Sequence, residues 1–167
     1  MELFSMETRE SSIWNKNIRL FDIALKYNII DISVITSWAD DYILNNEIDV
    51  NHYFIIEISW AHTKERIQEI LMDEIYKREI TNLKIRGNLF FPLLSLYDLS
   101  SDTNFIFIIN KLLALALDDE VDFSEKEMEL IYYVDECRDE YLDGVMSFEE
   151  ALENLLLLLS EKLFIKF

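Results

Sequence analysis

The stretch "SEKEMELIYYVDECRDEYLDGVMSFEE", residues 124–150, decides the fold class. It carries the same helix-start signal twice: Ser124 with Glu127 three residues on, and Ser147 with Glu150. In this arrangement the Ser hydroxyl and the acidic side chain each satisfy a backbone N–H that the first turn of a helix leaves free. Gly144 lies between the two signals, where a left-handed residue can close the first helix. The pattern predicts helices over 124–143 and 147–164.

Working outward, the rest of the chain carries helical spacing as well. Two Gly and one Pro in 167 residues are too few for the repeated turns of a β-sandwich or barrel, or for a Gly-rich nucleotide-binding α/β fold. Ile13, Trp14, Ile18, Phe21, Ala24 and Leu25 predict one face of a helix over 12–27, and Ile35, Trp38, Ala39, Tyr42 and Ile43 a second over 31–45. "NNEIDVN" (45–51) reads as a loop, because Asn and Asp side chains satisfy turn backbone. "HYFIIEISW" (52–60) fits a buried strand or a short buried helix; with no second strand to pair with it, helix is expected. A long amphipathic helix is expected over 61–86, with Ile67, Ile70, Leu71, Glu74 and Ile75 on its inner face and Gly87 as its left-handed cap. Pro92 restricts the next helix to a start near Phe91. The expected architecture is all-α: one domain over 1–167, an irregular bundle or short α-solenoid of seven or eight helices.

Half of the residues are apolar (51%), which excludes a disordered chain. The formal net charge is −18 and unevenly placed. Residues 1–87 hold 15 acids and 10 bases, whereas 88–167 hold 18 acids and 5 bases. Such a chain repels DNA and RNA but attracts a basic protein and speeds its encounter. Cys137 is the single cysteine, so no internal disulfide can form. "MELFSMETRE" lacks the basic and apolar regions of a signal peptide. The apolar runs at 104–117 and 155–159 are too short for a bilayer. A cytoplasmic protein with no membrane partner is expected.

Enzyme signatures are missing from the sequence. There is no Gly-rich phosphate loop, and no nucleophile–base pairing rises above chance. His62 and Glu65 have helical metal-ligand spacing but no second pair to complete a two-metal carboxylate site. Asp118, Glu120, Asp122 and Glu129 match positions one, three, five and twelve of a calcium loop, yet Phe123 stands where that loop needs Gly, and Lys126 adds a positive charge. No metal, cofactor or catalytic residue is assigned.

Wound at 100° per residue, the helix 124–143 turns Leu130, Ile131, Val134, Cys137 and Tyr141 inward. Glu125, Glu129, Tyr132, Glu136, Asp139, Glu140 and Asp143 fall on the opposite side. Three like-charge pairs at i, i+4 (Glu125 with Glu129, Glu136 with Glu140, Asp139 with Asp143) cost roughly 0.2–0.5 kcal/mol each. A solvated face that keeps the protein soluble is one reading. The other is a binding surface for a basic partner, with Tyr132 as an aromatic anchor among carboxylates. Between 118 and 153 there are 15 acids and 2 bases, beyond what solubility needs, which favours the second. The candidate partner-binding residues are therefore Asp118, Asp119, Glu120, Asp122, Glu125, Glu129, Tyr132, Glu136, Asp139, Glu140 and Asp143. A smaller acidic group, Asp40, Asp41, Glu47 and Asp49, is read as solvated surface.

"VITSWADDYIL" (34–44), followed by "FIIEISW" (54–60), resembles the helix–loop–helix opening of small bacterial immunity proteins, the antidotes paired with contact-dependent growth inhibition and other polymorphic toxins. The resemblance covers the first half of the chain. It implies a cytoplasmic, non-enzymatic protein that binds one cognate toxin domain, often a nuclease. Binding surfaces diverge within such families, so it transfers no residue roles. The expected function is neutralisation of a basic toxin domain through the acidic surface. The alternative is an acidic nucleic-acid mimic or adaptor acting on a DNA- or RNA-binding protein; a third reading is a helical hydrolase or metal protein built from dispersed carboxylates.

Overall fold

Asn28, Glu79 and Gly144 mark three helix ends built in the same way, and those ends set much of the architecture. In the computed structural model, which describes the backbone of residues 2–160 and the side chains of 11–160, the chain is all-α. The described residues form eight α-helices with irregular packing, in two compact units, Met1–Leu83 and Lys84–Phe167.

The first unit contains α1 (Glu2–Lys26), α2 (Ile32–Asn45), α3 (Tyr53–Ser59) and α4 (Lys64–Lys77), with a 3-10 turn at Val50–His52 before α3. Helix α2 packs on α3, and α1 and α3 pack on α4. Helix α2 starts at Asp31, whose carboxylate accepts the Ser33 N–H, and α4 starts at Thr63, whose hydroxyl accepts the Arg66 N–H. Both are favoured N-cap residues. An aromatic cluster joins α1 to α2 and α3, with the Trp14 ring 5.8 Å from Trp38, 5.1 Å from Tyr42 and 5.9 Å from Phe54. The apolar 52–60 segment is helical, as expected. Ile13 departs from the expected core face and is exposed. Around it Ser11, Ser12 and Lys16 are exposed too, whereas Asp22, Ile23, Ala24 and Leu25 are all buried. Over residues 11–16 only one side of α1 is covered; over 22–25 the helix is enclosed, which is why Ile23 joins the core.

The helix expected over 61–86 stops at Lys77. Glu79 takes a left-handed φ of 55°, Ile80 N–H reaches back to Ile75 O (3.1 Å), and Glu79 N–H to Tyr76 O (3.1 Å). This is the Schellman closure, ordinarily made with Gly. Asn28, with φ 55°, closes α1 in the same way through Ile29 N–H to Ala24 O (2.8 Å) and Asn28 N–H to Leu25 O (3.1 Å). Gly87 is therefore not the cap. It lies buried in a 3-10 turn, Gly87–Phe90.

The second unit contains β1 (Ile85–Arg86), α5 (Phe91–Leu94), α6 (Asp102–Ala116), β2 (Val121–Asp122), α7 (Glu125–Leu142) and α8 (Phe148–Ser160). Pro92 lies in the first turn of α5, as expected. The two strands form a parallel ladder in which Ile85 pairs with Val121 and Arg86 with Asp122. Helix α7 packs on α6 and α8, and Phe105, Tyr141 and Phe148 meet with ring centroids 5.5–6.2 Å apart. Helix α8 is described to Ser160; the rest of its expected span, 161–164, lies outside the described residues. No helix among the described residues is long and apolar enough to cross a membrane.

Candidate functional site

Both ends of α7 are fixed by the groups that the sequence singles out. Ser124 Oγ accepts the Glu127 N–H at 3.1 Å, and Glu127 Oε1 accepts the Ser124 N–H at 2.9 Å. At the other end Gly144, with φ 74°, closes the helix, with Val145 N–H on Glu140 O (2.8 Å) and Gly144 N–H on Tyr141 O (3.0 Å). Ile131, Val134 and Cys137 are buried, and Leu130 and Tyr141 are half-buried. The Tyr141 hydroxyl lies 3.3 Å from Asp102 Oδ2 as donor. The helix is thus held in one rotation about its axis.

That rotation exposes Glu125, Glu129, Tyr132, Glu136, Asp139, Glu140 and Asp143. Arg138 is mostly buried and turned aside. It bonds Asn110 Oδ1 at 2.7 Å, pairs with Asp135 at 2.5 Å and lies 3.2 Å from Asp139. Among the described residues, no cation pairs with Glu125, Glu129, Glu136, Glu140 or Asp143. The last turn of α7 contains no base, so Glu140 and Asp143 face the negative end of the helix dipole, a placement that disfavours carboxylates. Each i, i+4 pair (Glu125 with Glu129, Glu136 with Glu140, Asp139 with Asp143) rises about 6 Å along the axis, so the face carries an acidic pair near its start and a denser acidic group towards its end.

The loop before α7 is less free. Asp118 and Glu120 are half-buried, and Asp118 Oδ1 accepts the Glu120 N–H at 2.8 Å. Asp122 is exposed, 3.8 Å from Lys84 Nζ. Asp119 is exposed. The structure thus presents the helix carboxylates and Asp119 together with Asp122, while Asp118 and Glu120 serve the turn that leads into β2.

Sequence reasoning missed Tyr133. It is 49% exposed, beside Tyr132 at 47%, and roughly 100° further round the helix. Tyr132 therefore lies within the arc of carboxylates and Tyr133 at its outer edge. The wheel that singled out Tyr132 holds this signal too, since Tyr133 falls at the outer edge of the acidic arc. Its hydroxyl titrates above the ordinary phenol range because of the Cys137 thiol beside it, with Glu140 and Glu136 adding to the effect. Burial pushes the Cys137 thiol up as well.

The second acidic group has local work. Asp40 accepts a hydrogen bond from the Ser59 hydroxyl, and Asp49 caps the 3-10 turn through the Asn51 N–H; Asp41 and Glu47 are exposed. His62 and Glu65 are both exposed, and among the described residues no three His, Cys, Asp or Glu side chains converge on a common point. No family model, curated protein or solved structure matches the chain.

Proposed function

We propose that this protein binds and neutralises a basic partner domain, as the immunity protein of a toxin, probed first as a nuclease toxin, in the cytoplasm. One observation carries the reading: α7 exposes Glu125, Glu129, Glu136, Glu140 and Asp143 with no paired cation among the described residues, together with the exposed Tyr132 and Tyr133, on a helix that would be more stable with lysines interspersed. Burial of the tyrosines supplies apolar area. The carboxylates occupy the groups with which a nuclease grips phosphates, and their field speeds association. The protein does no chemistry; it blocks by occupancy. The resemblance of residues 34–44 and 54–60 to immunity proteins supports the same partner class. Co-expression with the C-terminal domain encoded beside this gene tests the reading: co-purification and rescue of growth are expected, and a toxin domain that neither binds nor loses activity would contradict it. The same acidic face suits mimicry of nucleic acid toward a DNA- or RNA-binding protein that is not a toxin, and capture of such a protein in place of the toxin domain would select that alternative.

A further inference from the structure

A cavity of about 420 Å³ opens in the first unit, lined by Ser11 and Trp14 of α1, by Asp49, Asn51 and His52 around the 3-10 turn, and by Glu74, Lys77 and Arg78 at the end of α4. Its volume is that of a small-molecule site, and seven of its eight lining residues are polar or charged, the eighth being Trp14. Recognition there rests on placed charges.

The fixed charges are held from behind. The Arg78 guanidinium donates to Glu74 Oε2 (3.0 Å), Asn15 Oδ1 (3.3 Å) and the Asn51 carbonyl (3.1 Å). It lies 5.6 Å from the centre of the Phe54 ring. Three of its five N–H groups are thereby engaged, which leaves two. Asp49 Oδ1 accepts the Asn51 N–H at 2.7 Å, and its other oxygen is 3.5 Å from His52 Nδ1. A single residue, Asn51, thus anchors a carboxylate through its N–H and a guanidinium through its carbonyl, groups that lie within one residue's length along the chain. His52 is fixed by the Trp14 ring, with centroids 4.6 Å apart and planes at 31°. Lys77, 3.8 Å from Glu74, stands at the exposed rim.

We infer that this cavity binds a compact zwitterion of the free α-amino acid class. Its carboxylate meets Arg78 and Lys77, and its ammonium meets Asp49. Charge balance selects this class. Two cations and two carboxylates line the cavity, so a lone cation meets Arg78 and Lys77 and a lone anion meets Asp49 and Glu74, in a chain of net charge −18. A ligand with both signs a few ångströms apart avoids both repulsions. Nothing in this inference depends on the partner proposed for α7.

Calorimetric titration of the full-length protein with free phenylalanine, glutamate and lysine, alongside their N-acetyl and amide forms and glucose, tests it. At least one free amino acid is expected to bind at millimolar concentration or better, and its N-acetyl and amide forms to bind roughly ten- to a hundredfold more weakly, the loss of one charge-assisted hydrogen bond. Asp49→Asn, which keeps an oxygen for the Asn51 N–H, should weaken the free amino acid by a similar factor and leave its N-acetyl form unaffected. Absence of binding by all three free amino acids, equal binding of the blocked forms, preferential binding of glucose, or undiminished binding by a folded Asp49→Asn variant would each overturn the inference.

Discussion

The ring of Phe123 fills the space that a β-carbon on residue 87 would need, and Gly87 leaves it open. Strand register explains the meeting. Ile85 pairs with Val121 and Arg86 with Asp122, so the next residues along, Gly87 and Phe123, come together, while Phe91 stacks on Phe123 with ring centroids 6.3 Å apart. Gly87→Ala should destabilise the protein by about 1–3 kcal/mol through overpacking. Chemical denaturation reads this directly, and Phe123→Leu in the same background should return part of the loss.

Two helix ends give opposite signs for a change at the same structural position. Glu79 and Gly144 both occupy the left-handed residue of a Schellman closure. An L side chain is strained there, and Gly is not. Glu79→Gly should raise stability, and Gly144→Ala should lower it by about 1 kcal/mol, as read from the shift in denaturation midpoint. Nothing lies within 4 Å of a β-carbon at residue 144, so backbone strain alone sets that cost.

These closures show where the sequence is informative. The Ser124 and Ser147 starts are legible because both partners of each capping box lie within four residues, and Gly144 is legible as the residue type its conformation favours. Asn28 and Glu79 do the same work, Glu79 with a residue type that rarely does it, so the end of α4 was misplaced to Gly87. Gly87 is there for a long-range reason, the approach of Phe123, that local pattern cannot show. The outward side of α7 follows from helical period. Which of its carboxylates lack cations does not, because Arg138 is turned aside by Asn110, far away in sequence. The cavity beside Trp14 joins α1, a loop and the end of α4, and has no local signature at all.

The acidic face should cost stability. Glu140→Lys replaces a like-charge pair with Glu136 by an attractive one and places a cation at the negative end of α7. It should stabilise the fold by about 0.5–1 kcal/mol at low salt, and by less as salt screens the charges. Thermal unfolding at two ionic strengths checks this. A gain in stability joined to a loss of partner binding is the trade expected of a functional surface.

Alkaline conditions should destabilise the fold through Cys137. Burial raises its thiol above the ordinary range, so the folded state holds that proton to higher pH than the unfolded chain. The contribution is full below the unfolded thiol pKa of about 8.5 and is lost as pH rises through the folded value. Cys137→Ala should flatten the fall of the denaturation midpoint above that pH, although its overall stability is lower for the lost packing. Thiol-directed reagents should react slowly with the native protein, because Cys137 is 1% exposed and the thiolate is the reactive form.

The most direct test is the affinity of the purified protein for its proposed partner, the C-terminal domain encoded by the adjacent gene, measured with wild type and with Glu129, Glu136 and Glu140 all changed to Lys. These three carboxylates lack ion pairs among the described residues, and their reversal leaves the Arg138 contacts in place. The triple variant should stay folded and bind at least about tenfold more weakly, and wild-type association should slow as salt is raised. A folded triple variant that binds as tightly as wild type, with association indifferent to salt, would contradict the assignment of α7 as the binding face.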